Sequence, residues 1–350
     1  ATGAVDVPAG DPTRSVAQRM AEVSIHSFPS RNAAPSADAE AARAAPMVSA
    51  AKQCLLSLFD DVRQGRTPDF KSCRPVVEDI AHSLARNPSA LVGVVRHKKR
   101  DDYTAMHSVA VCTLMVSLAR KLALGEEQVL EAGMAGLLHD LGKAMIPSEI
   151  IDKPGALTNE EFAIVKRHPQ LGHDILRGSG GIGESVLRAC LQHHERPDGK
   201  GYPNQLADSG LTLHARMAAV CDVYDAITSD RPYRGGQCPS ESLAHMAQWT
   251  RGGQFDASVF RAFIDCVGVF PVGSLVRLHS HRLAVVVENT PSSSRAPRIR
   301  AFYSLRSGMP VATETIDLSA HGCRDFIVGR ESNDKWKFTQ LAELTFGHAG

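Results

Sequence analysis

At 350 residues with 43% apolar content, the chain can build one large domain and a smaller one around a sizeable core. A net charge of +1 gives no global basic field, which argues against long nucleic acid as a partner but leaves room for a local basic cluster that takes a small anion. No apolar run approaches the ~20 residues of a bilayer span, no charged-then-apolar leader opens the sequence, and the eight cysteines are scattered without a C-x-x-C pair, so a reduced, cytoplasmic protein is expected.

Residues 1–50 are rich in Ala, Pro, Ser and Gly and are expected to form a disordered or loosely helical lead. Residues 51–95 read as a short helical region: Leu55, Leu58 and Phe59 share one side, Arg63 to Pro68 is a break, and a helix follows from about Arg74 to Asn87. Further helices are predicted at 104–124, 126–139, 182–193, 212–229, 239–251 and 256–267. Thr158 and Glu161 make a capping box that starts another. After Pro271 the period changes to that of strands, at 274–278, 283–287, 299–303 and 326–328, with a loop at 291–297. The expected fold is mainly α, an all-helical bundle with a small β-rich C-terminal extension over 271–350.

Six of the fifteen histidines fall between positions 107 and 194, several beside a carboxylate. Asp222 and Asp225 sit in an otherwise apolar helix, about 60° apart and therefore on one face. A buried carboxylate requires a cation or hydrogen-bond donors. Either a metal site or two aspartates bonded to arginines and backbone N–H groups satisfies this helix taken alone. Mixed His and carboxylate ligands suit Mn, Fe, Co, Ni or Zn rather than Ca or Mg. A two-metal cluster supplies hydroxide near neutral pH and clamps a phosphoryl group, so phosphodiester hydrolysis is the natural reaction class. Against this, a lone His at a helix end is commonly a surface residue. His173, about 140° around a helix from His168, is left out of the site.

His139-Asp140-Leu141-Gly142-Lys143 resembles the H-D-x-G-K signature of HD-domain phosphohydrolases. His193-His194-Glu195-Arg196-Pro197-Asp198-Gly199-Lys200-Gly201-Tyr202-Pro203 resembles the element that defines the HD-GYP subgroup. Asp222 to Ala226 and Arg231-Pro232-Tyr233-Arg234 are similar to the elements that follow it, over a match of about residues 96–270. The resemblance implies an HD-type helical domain with two divalent transition-metal ions, iron or manganese. Its ligands would be His107, His139, Asp140, His168, His193, His194 and Asp222, with Asp140 bridging. Tyr103 stands where some members hold a third metal through glutamate; a phenol ligates poorly at neutral pH, so two ions are expected.

The implied activity is hydrolysis of cyclic di-GMP to linear pGpG, with a slower second step to GMP left open. Asp140 and Lys143 would be catalytic; Lys143, Tyr202, Arg231 and Arg234 would contact substrate. Asp225 would orient a ligand or Lys143, and Gly201 and Pro203 would shape the loop, which in such families also meets diguanylate cyclases and other signalling proteins. The family context allows a homodimer. Outside the motif, Lys143 reads as a solvated helix-end lysine, Arg231 and Arg234 as an exposed loop, and Tyr202 as a packing ring. Rival readings are an inactive cyclic-dinucleotide-binding or partner-binding module, disfavoured by the complete ligand set; an enzyme for another cyclic dinucleotide; and a β extension that acts as a docking platform.

Overall fold

Two helices that are apolar on nearly every side set the centre of the fold, because such a helix is stable only when surrounded. The computed structural model describes residues 37–87, 103–229, 236–290 and 293–346. Helices α1 (Ala37–Arg63) and α2 (Cys73–Arg86) lead into α3 (Tyr103–Lys121) and α4 (Glu126–Leu138). A short α5 (Ser148–Ile151), α6 (Asn159–Val165), α7 (His168–Ser179) and α8 (Glu184–Gln192) come next, then α9 (Leu213–Thr228), α10 (Pro239–Arg251) and α11 (Ala257–Val267). In α3, residues 105–116 are buried without a break, and α9 is buried over most of its length. Each fully buried Leu or Met here, such as Met115, Leu118 and Leu137, contributes about 1.5–3 kcal/mol.

The first helix begins at Ala37, inside the stretch expected to be a disordered or loosely helical lead; residues 1–36 lie outside the described residues. Its Ala44, Val48, Ala51, Leu55, Leu58 and Val62 recur at helical spacing and are buried. They enter the same core as α2, α3, α4 and α11, so the part of the 51–95 stretch up to Asn87 packs with the later helices. The capping box at Thr158 forms as read: its hydroxyl accepts from the Glu161 N–H at 3.2 Å, and the Glu161 carboxylate accepts from the Thr158 N–H at 2.7 Å.

The C-terminal extension is a five-stranded antiparallel sheet in the order β4-β3-β2-β1-β5. Its strands are β1 (Leu275–Leu278), β2 (Arg282–Thr290), β3 (Ser293–Ser304), β4 (Met309–Asp317) and β5 (Ile327–Arg330). Val276, Leu278, Ala284, Val286 and Ile299 form one buried face. Leu275, Leu283 and Phe302 form the other, covered by Trp336, Phe338 and Leu341 from α12 (Asn333–Trp336), α13 (Leu341–Phe346) and the segment between them. The alternation puts successive side chains on opposite faces. The sheet docks on the helices through Arg330, which donates to the Ser240 carbonyl at 2.7 Å, and Asn289, which donates to the Val267 carbonyl at 2.6 Å. Two departures from expectation fall here. The β3 strand starts at Ser293, within the predicted loop, because it pairs with β2 from Thr290 onward, and β4 was not foreseen.

Candidate metal centre

Some of the ligand candidates sit at helix ends, and these converge on His107 and Asp222 of the two buried helices. His139 caps α4, and Asp140 opens the Leu141–Met145 3-10 turn. His168 is the first residue of α7, and His193 caps α8. His107 projects from α3 and Asp222 from α9. Gly142 explains why two of these meet: a Cβ there would lie 2.0 Å from the His168 carbonyl oxygen, so only glycine lets the turn press against the start of α7.

Asp140, 1% exposed, is the hub. Its Oδ2 lies 3.3 Å from His139 Nε2 and 3.6 Å from His107 Nε2; its Oδ1 lies 3.3 Å from His168 Nε2 and 3.9 Å from His193 Nε2. Asp222 spans the same divide, with Oδ1 3.0 Å from His107 Nε2 and Oδ2 3.7 Å from His194 Nδ1. Two clusters result, one of His107, His139 and Asp140, the other of His168, His193 and His194.

The hydrogen bonds on the far side of each ring decide where the protons are. Nδ1 of His139, His168 and His193 lies 2.7–2.8 Å from the carbonyl of Gly136, Val165 and Cys190 respectively. A carbonyl only accepts, so each Nδ1 carries the hydrogen, and in its neutral form each ring turns a bare Nε2 lone pair inward. His168 and His193 then face each other Nε2 to Nε2 at 3.1 Å. His139 Nε2 and Asp140 Oδ1 are buried without a hydrogen-bond partner. Lone pairs aimed at lone pairs in a dry pocket cost about 1–3 kcal/mol each when left so, and a cation between them removes the conflict. The donor set therefore fits divalent transition-metal ions.

Electrostatics agree. Burial, with His194, His139 and His168 nearby, holds His193 well below its ordinary value. Burial pushes His194 down to about 3 against the pull of Asp222, so both rings are neutral and able to ligate. For Asp140, burial favours the neutral acid, but His139 and Lys143 outweigh it and hold the carboxyl well below the usual range. His107 is raised: burial opposes the charged ring, and bonds to Asp222 and Asp225 overcome it.

Around this centre, Asp225 Oδ2 lies 2.6 Å from His107 Nδ1 and Lys143 Nζ lies 2.6 Å from Asp140 Oδ2. The expectation for Asp225 left open whether it meets a ligand or Lys143; the contact is with His107. Gly201 is pinned, since a Cβ would lie 2.4 Å from Glu195 Cα. The Tyr202 N–H donates to the His194 carbonyl at 3.1 Å, and its ring stacks on His194 with centroids 4.7 Å apart. Burial, with Asp222 and Asp140 nearby, pushes the Tyr202 phenol up, so it stays protonated. Pro203 comes next in the loop wall. Tyr103 stacks flat on His107, with centroids 6.0 Å apart. His173, left out of the site, pairs with Asp174 at 3.0 Å. Arg231 and Arg234 lie outside the described residues.

A cleft of about 580 Å³ opens beside His193, His194 and Tyr202. Sequence reasoning missed two of its features. The buried Glu195 carboxylate accepts the N–H groups of Asn204 at 2.6 Å and Leu206 at 3.0 Å, tying the loop down. Its signal was an acid directly after two ligand candidates. Lys166 and Arg167 line the cleft, and their signal was a basic pair directly before His168.

Such a fold and site define a histidine–aspartate centre on a helical scaffold, and the comparisons with known proteins place it. The sequence profile of the HD domain matches residues 77–259. The chain is 48% identical over 310 residues to the cyclic di-GMP phosphodiesterase PA4108 of Pseudomonas aeruginosa, covering 89% of this chain and 74% of that protein. It is 35% identical over 166 residues to the 3'3'-cGAMP-specific phosphodiesterase 1 of Vibrio cholerae, covering 47% of this chain and 38% of that one. Among solved structures, Bd1817, an HDG"Y"P protein from Bdellovibrio bacteriovorus, shares the fold at TM-score 0.55 and 19% identity, over 65% of this chain and 72% of that one. The chain belongs to the HD-domain family and, within it, to the HD-GYP group. No helix among the described residues is long and apolar enough to cross a membrane.

Proposed function

We propose that this chain is a metal-dependent phosphodiesterase that hydrolyses cyclic di-GMP to linear pGpG, with slower conversion to GMP. The observation that carries the reading is the pair of His clusters on the two oxygens of Asp140, with bare Nε2 lone pairs turned inward. Similarity to the cyclic di-GMP phosphodiesterase of P. aeruginosa supports the substrate.

His107, His139, Asp140, His168, His193, His194 and Asp222 would hold two divalent ions, with iron or manganese suited to the mixed His and carboxylate set. Bound there, such ions supply hydroxide near neutral pH and neutralise the oxygens of an in-line displacement. The carbonyls behind His139, His168 and His193 fix ring orientation, and Asp225 does so for His107. Lys143 would bring positive charge to the phosphoryl oxygens, and the protonated Tyr202 would donate to substrate. Water adds to phosphorus, the bond to the ribose 3′-oxygen breaks, and that oxygen leaves with a proton. Arg231 and Arg234 would hold the second phosphate. With Tyr103 stacked on His107 in place of a carboxylate, two ions per chain are expected.

The unpaired cysteines fit a reducing compartment such as the cytoplasm. The loop around Tyr202 would serve partner proteins such as diguanylate cyclases. The test is anaerobic incubation of metal-replete protein with cyclic di-GMP, with products separated by chromatography and metals counted by elemental analysis. Appearance of pGpG with two ions per chain is expected; no product from fully loaded protein would refute the activity. A preference for 3'3'-cGAMP in the same assay would favour a second reading, which the V. cholerae relative motivates.

A further inference from the structure

Phe162 stays 45% exposed at the rim of the cleft, on the outer turn of α6. A single exposed ring needs no explanation by itself; its position does. Its ring meets Tyr202 edge to face, with centroids 6.4 Å apart at 80°, and Tyr202 stacks on His194 at 4.7 Å. Three rings thus run in file from a ligand of the centre to the cleft mouth. Lys166, one turn along, holds its Nζ 5.1 Å from the Phe162 ring centroid.

We propose that Phe162 is the platform on which a purine base of the substrate stacks, with Lys166 beside it facing the attached phosphate. The inference rests on the phosphodiesterase reading. A phosphoryl group held at the centre leaves its nucleoside pointing outward along the cleft, where Phe162 is the exposed apolar surface. A base laid on that ring removes from water the apolar area the protein leaves bare. Ring-on-ring contact reads no hydrogen-bond pattern, so guanine and adenine are held alike. The platform therefore holds the base without reading its identity and leaves discrimination between cyclic dinucleotides to other residues.

The test compares wild type with F162A, F162L and F162W. Binding of linear pGpG, used as its phosphorothioate analogue so that the slow conversion to GMP does not consume it, is measured by calorimetry, alongside kcat and KM for cyclic di-GMP and 3'3'-cGAMP. Stacking predicts a Kd and KM about 10- to 100-fold higher in F162A and in F162L, with the loss in KM rather than kcat. It also predicts the same factor for both cyclic dinucleotides, and recovery to within a few-fold in F162W. F162L is the decisive variant because it keeps bulk and apolarity but not the ring. Wild-type affinity in F162L, or a loss confined to kcat, overturns the proposal while leaving the phosphodiesterase reading intact. Conversely, a wild type that hydrolyses no cyclic dinucleotide, with pGpG binding still weakened in F162A and F162L, sinks the phosphodiesterase reading and leaves the platform standing. A wild type that binds no pGpG overturns the platform.

Discussion

The centre and the C-terminal sheet are built on opposite balances. In the sheet, what is buried is apolar, and the carboxylate at its margin is saturated with donors: Asp325 receives the Ser280 N–H at 3.1 Å, the Ser280 hydroxyl at 2.6 Å and the Phe326 N–H at 3.1 Å. In the centre, the buried carboxylate of Asp140 receives Lys143 Nζ on Oδ2 at 2.6 Å, while its Oδ1 has no hydrogen-bond partner and faces the imidazole nitrogens of His168 and His193. The sheet is complete as the chain makes it. The centre is complete only with cations, and that deficit marks a site shaped for chemistry rather than for stability.

The sharpest way to break this contrast is Asp140→Ala. It removes the carboxylate that both clusters share, so turnover is expected to fall below detection and bound metal to drop in elemental analysis. Retained hydrolysis would mean that the two clusters do not act through Asp140. The counterpart in the sheet is Leu278→Ala, at a residue 1% exposed. It should cost about 2–5 kcal/mol of stability in denaturant unfolding and leave kcat/KM unchanged at temperatures where the protein stays folded. A large loss of activity in that variant would mean that the sheet and the centre are not separable.

The same contrast explains what the sequence revealed. The helices with strong periodicity or a capping box were legible, because Thr158 and Glu161 satisfy each other within four residues. The α7 helix was taken for granted in placing His168 and His173 but was given no bounds: Pro169, Gly172 and Gly178 weaken its local signal, and what holds it is contact with the Gly142 turn. The β4 strand was missed because an exposed edge strand has no apolar alternation to read; its pairing with β3 makes it a strand. At the site, His139, Asp140, His193, His194 and Asp222 stood in motifs, while His107 and His168 came only with the family resemblance. Asp225 and Lys143 were visible as residues but not as partners of His107 and Asp140, since those contacts cross between elements or depend on side-chain direction. Nothing in the sequence states that Phe162 lies against Tyr202.

A smaller effect sharpens the centre's side of the comparison. Asp225→Asn removes the charge that the His107 Nδ1–H meets at 2.6 Å. Metal affinity, read by titration against a chromogenic chelator, should weaken about 10- to 100-fold, as expected for a group that orients a ligand. Unfolding of the sheet should not change. Unchanged metal affinity would leave His107 held by Asp222 alone.

The smallest expected effect tests whether Asp325 really is the satisfied counterpart of Asp140. Burial opposes its ionised form, but the Ser280 hydroxyl and N–H groups, with Arg282 and the Phe326 N–H, outweigh burial and hold the carboxyl below its usual value. A group whose pKa is lower folded than unfolded adds stability above the unfolded value, about 3.9, and that contribution fades as pH falls through the folded value. Asp325→Ala should therefore cost about 1 kcal/mol near neutral pH, and the gap from wild type should close on acidification below about pH 4. Denaturant midpoints measured at neutral pH and across the acid range read this out. A gap that stays constant into acid would show that Asp325 acts through packing rather than charge, and the contrast with Asp140 would then rest on the apolar faces of the sheet alone.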